Sequence, residues 1–155
     1  MTKIEKVFGR FSVSVWILCL TCMVNFLGNM VLAFLALYLK ADLDFSMAAI
    51  AKVMTCYGLG AVAGGYLSGK YCDWRDSRGV MGLCLGVQGL LLILLPSFHS
   101  ILWFGSVGFA IGFFESGFRP AFNVSIARVT RPEERAQAYS LYMVLINLGS
   151  SVAMG

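Results

Sequence analysis

Charge along this chain is bunched, and its distribution limits the fold more than any other feature. No Asp, Glu, Lys or Arg occurs over residues 11–39, 53–69, 79–114 or 136–155. A helix needs about 20 apolar residues to cross the ~30 Å hydrocarbon core of a bilayer, so each interval admits at least one crossing. A closed barrel would instead show strands alternating polar and apolar residues over about 10 positions. These intervals do not alternate. Only 13% of the 155 residues are charged and 59% are hydrophobic, whereas a soluble domain carries roughly a quarter charged residues. A soluble enzyme, a disordered chain and a disulfide-stapled secreted domain are therefore excluded.

The interval 79–114 cannot be one helix, because at 1.5 Å per residue its length would be about 54 Å, well beyond the membrane core. It reads as a hairpin with its corner at Pro96-Ser97-Phe98-His99-Ser100, where proline and small polar residues interrupt the apolar run. The fold expected is an all-α, multi-pass transmembrane helix bundle, with helices near 12–39, 46–69, 79–96, 101–127 and 136–155.

Basic residues in short loops stay on the cytoplasmic side. Lys3, Lys6 and Arg10 precede helix 1, Lys70, Arg75 and Arg78 join helices 2 and 3, and Arg128, Arg131 and Arg135 join helices 4 and 5. The opposite side has only Lys40; Lys52 and Arg119 fall inside helices, with Lys52 able to reach outward toward Asp42 or Asp44. The expected topology has a cytoplasmic amino terminus in a cell membrane, such as a bacterial inner membrane. Helix 1 is expected to persist, since its apolar run is about twice as long as a signal peptide's core. The net charge of +4 follows from this asymmetry, so no nucleic-acid partner is expected.

Cys19 and Cys22 form a CxxC in mid-helix, with no further Cys or His at ligand spacing. Cys56 and Cys84 are also in apolar helix, and Cys72 is on the reducing side. They read as small hydrophobes. The sequence contains no nucleophile triad, phosphate loop or zinc motif, so neither catalysis nor a cofactor is expected.

Packing signals are more informative. Thr21, Asn25 and Asn29 recur at steps of four, forming one polar stripe on helix 1. Polar groups in a bilayer face protein or water, so the stripe either bonds neighbouring helices or lines an aqueous cavity. Helix 2 has two small-xxx-small patterns, Gly60 to Gly64 and Gly65 to Gly69, which let helix backbones approach and slide.

The run Gly64-Gly65-Tyr66-Leu67-Ser68-Gly69-Lys70-Tyr71-Cys72-Asp73-Trp74-Arg75-Asp76-Ser77-Arg78 resembles the signature loop between helices 2 and 3 of the major facilitator superfamily. Gly69 and Asp73 match the glycine and the acid four residues later, and Arg75 and Arg78 supply the basic residues. Trp74 stands where a basic residue is usual, and Asp76 where a second glycine is. A register starting at Gly65 would keep Lys70 but lose the acid. The segments Gly112 to Asn123 and Arg131 to Ala138 resemble the family's fourth helix and the connection before its fifth. Tyr142 to Gly149, which includes Asn147, is similar to the fifth helix. The Phe-Arg-Pro and Ile-Asn-Leu-Gly segments are also similar to the proton-coupled oligopeptide branch, although helix 1 has no Glu or Arg.

The resemblance implies alternating-access secondary transport of a small solute, taken up or expelled with coupling to an ion or protons, without ATP. Gly69, Asp73, Arg75 and Arg78 would then form a gating latch. Members have twelve helices in two six-helix halves, so five helices would be an incomplete N-terminal half that needs the missing helices or a partner chain to complete its cavity. A non-transporting membrane subunit or an inactive truncated remnant is the alternative.

Glu115 and Arg119 carry the strongest local chemistry. At i and i+4 they lie on one helical face, with Glu115 near the bilayer midplane and Arg119 about 6 Å closer to the cytoplasm. Three roles fit: a static intrahelical pair, a proton carrier at Glu115 whose neighbour is Arg119 or substrate, and direct substrate contact. Asn25, Asn29 and Asn147 are the further cavity candidates.

Overall fold

The computed structural model describes residues 12–72, 76–97 and 99–154. These residues are all-helical: α1 (Val13–Ala41), α2 (Met47–Cys72), α3 (Ser77–Leu94), α4 (Ile101–Val129) and α5 (Arg135–Met154), with short 3-10 turns at Leu95–Ser97 and Pro132–Glu134. Three stretches, Met47–Cys72, Ser77–Ser97 and Ile101–Val129, are long and apolar enough to cross a membrane, and Val13–Phe26 is a shorter apolar stretch within α1.

Local chemistry sets the helix ends. The Ser46 hydroxyl accepts the Ala49 N–H at 3.3 Å and opens α2. Asp76 caps α3, its side chain accepting the Arg78 N–H at 3.2 Å from an extended backbone. Between α1 and α2, Asp44 takes a left-handed φ of 49°, which Asp tolerates better than most residues. Phe45 N–H then returns to the Leu39 carbonyl at 3.0 Å. Asp44 pairs with Lys40 at 3.1 Å, and at 92% exposure of the Asp44 side chain the pair contributes at most about 1 kcal/mol.

The chain divides into two compact units: residues up to Gly28 together with those from Phe122 onward, and Asn29–Ala121. In the second, Leu35, Leu39, Ile50, Val53, Leu95, Phe104, Val107 and Ile111 form one buried cluster. Phe104 is fully buried, and Tyr38 and Phe45 meet it edge-on at centroid distances of 6.4 and 6.0 Å. Trp103 Nε1 donates to the Leu95 carbonyl at 3.3 Å, satisfying the end of α3. In the first unit Val15, Leu18, Cys19, Cys22, Phe122, Ile126, Ala138 and Leu141 are buried. There Phe122 stacks on Tyr142 at 4.6 Å, and Arg135 Nη2 donates to the Ala127 carbonyl at 3.1 Å across the corner between α4 and α5.

Within Asn29–Ala121 the closest packing is between α2 and α4. A β-carbon built at Gly60 would overlap the Phe109 carbonyl oxygen, and one at Gly64 the Phe113 carbonyl oxygen. From the other side, a β-carbon at Gly112 would overlap the Tyr57 carbonyl oxygen. The Gly60–Gly64 pattern thus meets a neighbouring backbone, whereas among the described residues a β-carbon at Gly69 would meet nothing within 4 Å and one at Gly65 only the Ser116 β-carbon at 4.0 Å. Gly64→Ala should lower unfolding stability in detergent by about 1–3 kcal/mol through overpacking. Gly58→Ala, at a glycine with nothing within 4 Å, should be neutral or gain up to about 1 kcal/mol of helix propensity. Equal effects in denaturant titrations of the two variants would contradict the close approach.

Candidate functional site

The α2–α4 contact also holds the most deeply placed acid described. Glu115 is the middle residue of α4 and is 8% exposed. Its carboxylate Oε2 accepts a hydrogen bond from the Tyr57 hydroxyl at 2.6 Å. Tyr57 can run along α4 because Gly112, one turn before Glu115, has no side chain; a β-carbon there would also come within 3.0 Å of Tyr57 Cδ2. A hydrogen bond to an ionised acceptor is worth about 1.5–3 kcal/mol, and it acts here where solvation by water is scarce.

Arg119, one turn further along α4, is exposed. It has no hydrogen bond or ion pair among the described residues. The sequence places the two charges on one face; the structure turns Glu115 into the contact with α2 and leaves Arg119 outward. Spacing alone could not reveal Tyr57, which is 58 residues away from Glu115. A tyrosine beside the glycine-rich run of α2 was the available signal.

A turn beyond Glu115, Pro120 lies inside α4 and cannot donate to the Ser116 carbonyl. The adjacent Gly117 carbonyl accepts a 2.5 Å hydrogen bond from Ser68 Oγ on α2. Such cross-helix hydroxyl bonds are how neighbouring helices sustain a proline-interrupted backbone in lipid. Beside this point a cleft of about 500 Å³ opens between α2, α3 and α4, lined by Ser68, Tyr71, Asp76, Cys84 and Phe113 among others.

The signature-like loop is only partly described. Gly69 lies in α2 and Arg78 is exposed at the start of α3, while Asp73 and Arg75 lie outside the described residues. Asp76, which the motif comparison treats as a departure, caps α3. Of the asparagines, Asn25 is buried in the first unit, Asn147 is exposed in α5, and Asn29 lies in α1 with its side chain outside the described residues. Thr21 Oγ1 donates to its own helix at Ile17 O, 2.7 Å away. Among the described residues no three His, Cys, Asp or Glu side chains gather as metal ligands.

The sequence profile of the Major Facilitator Superfamily matches residues 18–155. The chain belongs to this superfamily. It is thus a membrane transporter chain, and the membership points to transport of a small molecule rather than to catalysis. No curated protein and no solved structure matches it.

The capping role of Asp76 is separable from any transport role. Asp76→Ala should cost about 1 kcal/mol of stability and Asp76→Asn only a few tenths, because Asn caps as well as Asp. Denaturant titrations of both variants check this; equal losses would remove the cap from the account.

Proposed function

We propose that this superfamily chain serves secondary active transport of a small solute by alternating access, with Glu115 as the group that takes up and releases a coupling proton. The observation that supports this is the placement of Glu115: a carboxylate at the centre of a membrane-spanning helix that accepts a hydrogen bond from a neutral donor on α2. Ionisable groups at such depth are costly and mark ion or substrate pathways. A tyrosine hydroxyl can donate to the carboxylate, or accept from the protonated acid after rotating, so both protonation states keep a partner. Arg119 is the neighbouring charge whose approach to Glu115 would change through the cycle.

In this reading Gly69, Asp73, Arg75 and Arg78 form the cytoplasmic gate, with Asp73 offering its charge to a helix amino terminus. Asn25, Asn29 and Asn147 contribute polar groups to the path. Further helices, in the same chain or in a partner, complete the cavity, and the lipid bilayer is that of a cell membrane with the amino terminus in the cytoplasm.

Glu115→Gln in the complete transporter should abolish substrate-driven proton movement into vesicles while folded protein remains abundant, since Gln keeps the shape and a hydrogen bond to Tyr57 but cannot titrate. Normal proton movement in a folded variant would remove Glu115 from coupling.

Topology is tested separately. Reporter fusions at residues 75 and 131 should read as cytoplasmic and a fusion at residue 43 as external, following the basic residues. External activity at residue 75 would reverse the orientation.

A further inference from the structure

We propose that Arg119 is a binding residue for an anionic group, a carboxylate or phosphate, and that Tyr57 is the positioning residue that keeps it available. This inference rests on the transport reading above, because it takes α4 to line a path that a solute can enter.

In a helix, side chains four apart are neighbours, so Glu115 and Arg119 would neutralise one another if nothing else intervened. Tyr57 intervenes. Its hydroxyl takes the Glu115 carboxylate at 2.6 Å, and the ring is seated where Gly112 leaves room. The acid is 8% exposed, whereas Arg119 is exposed and has no hydrogen bond or ion pair among the described residues. Arg119 lies four residues past the centre of α4, about 6 Å along the axis.

A guanidinium at that depth is not stable facing lipid tails and requires water or a counter-anion. It cannot lose its proton, and it presents a planar fork that matches a carboxylate or phosphate with two parallel hydrogen bonds. Glu115, the acid nearest in sequence, has an oxygen engaged by α2, and no carboxylate pairs with Arg119 among the described residues, so the proposed matching group is an anion that binds to the chain. Its source is either a solute in the path or a phospholipid headgroup reached by the flexible side chain.

Modification of arginines by phenylglyoxal, read peptide by peptide by mass spectrometry, tests both halves. The 155-residue chain is placed in maltoside micelles, which contain no phosphate, and in phosphatidylglycerol nanodiscs. In micelles Arg119 should label readily; acetate, benzoate or inorganic phosphate should protect it more than exposed Arg78, and benzamide should not. Protection without added anion in nanodiscs alone identifies the headgroup as the anion, and protection only by added solute identifies the path.

Tyr57→Phe should release Glu115 toward Arg119 and slow Arg119 labelling about five-fold, the scale of a modest ion pair. Tyr57→Phe combined with Glu115→Gln should restore the rate, an outcome that mere loss of packing would not produce. Lack of labelling in the wild-type chain, protection equal to that of Arg78, or protection by none of the three anions and no lipid would overturn the anion site. An unchanged rate in Tyr57→Phe would overturn the positioning role. Normal proton movement in Glu115→Gln vesicles, which would remove Glu115 from coupling, leaves these readouts untouched, so the two readings fail separately.

Discussion

The contact of α2 with α4, backbone against backbone, is the interaction on which the Asn29–Ala121 unit depends. Lipid tails are as apolar as leucine, so burying apolar side chains gives helices in a bilayer little reason to associate. Close approach does, through van der Waals contact over many atoms and polar bonds where the backbones nearly touch. Gly60 lies against Phe109, Gly64 against Phe113, and Ser68 donates to Gly117. These pairs share one constant sequence offset, 49, which requires the two helices to run in the same direction. The offset also explains why Gly60, Gly64 and Ser68, four residues apart, must all be small.

The same closeness makes a buried carboxylate tolerable. An ionised acid in low dielectric is stabilised by an aligned donor, and the donor has to be held in place before the charge arrives. Tyr57 meets this condition because its backbone is pinned against Gly112 and its ring has a groove to follow. A larger residue at 112 would push α2 away and take the hydroxyl with it. Thus a glycine chosen for packing also fixes the electrostatics of an acid one turn along.

Much of the fold was legible because a bilayer imposes one dominant rule. Intervals without charge announce helices, and Pro96 with its polar neighbours announces the corner between α3 and α4. The Gly60–Gly64 pattern announced close packing correctly, but Gly65–Gly69 announced it equally and meets almost nothing among the described residues. Small residues permit an approach; only the angle and rotation of the partner helix decide whether it occurs. Glu115 stood out as an acid deep in an apolar run, yet its partner did not. Residues 57 and 115 are brought together by helix rotation, which is set by Gly112 and Phe113 meeting Tyr57 and Gly64. The i,i+4 rule describes an isolated helix, and here a tertiary donor competes with it. Asp76 was legible only as a departure from a motif. Its position directly before α3 is also a capping signal, and the local hydrogen bond obeys that signal.

The two compact units meet in sequence at residues of low helix propensity. The boundary between the two compact units falls within two helices, after Gly28 in α1 and after Ala121 in α4. Glycine costs about 1 kcal/mol relative to alanine in a helix interior, and proline about 3. Gly28 is the last residue before the division in α1. In α4 Pro120 immediately precedes Ala121, and it removes the hydrogen bond that would tie residue 120 back to Ser116. Ser68 meets the weakened turn at Gly117, on the Asn29–Ala121 side of the division. The bond supports the turn of α4 that precedes its proline. Arg119 stands between that supported turn and the proline.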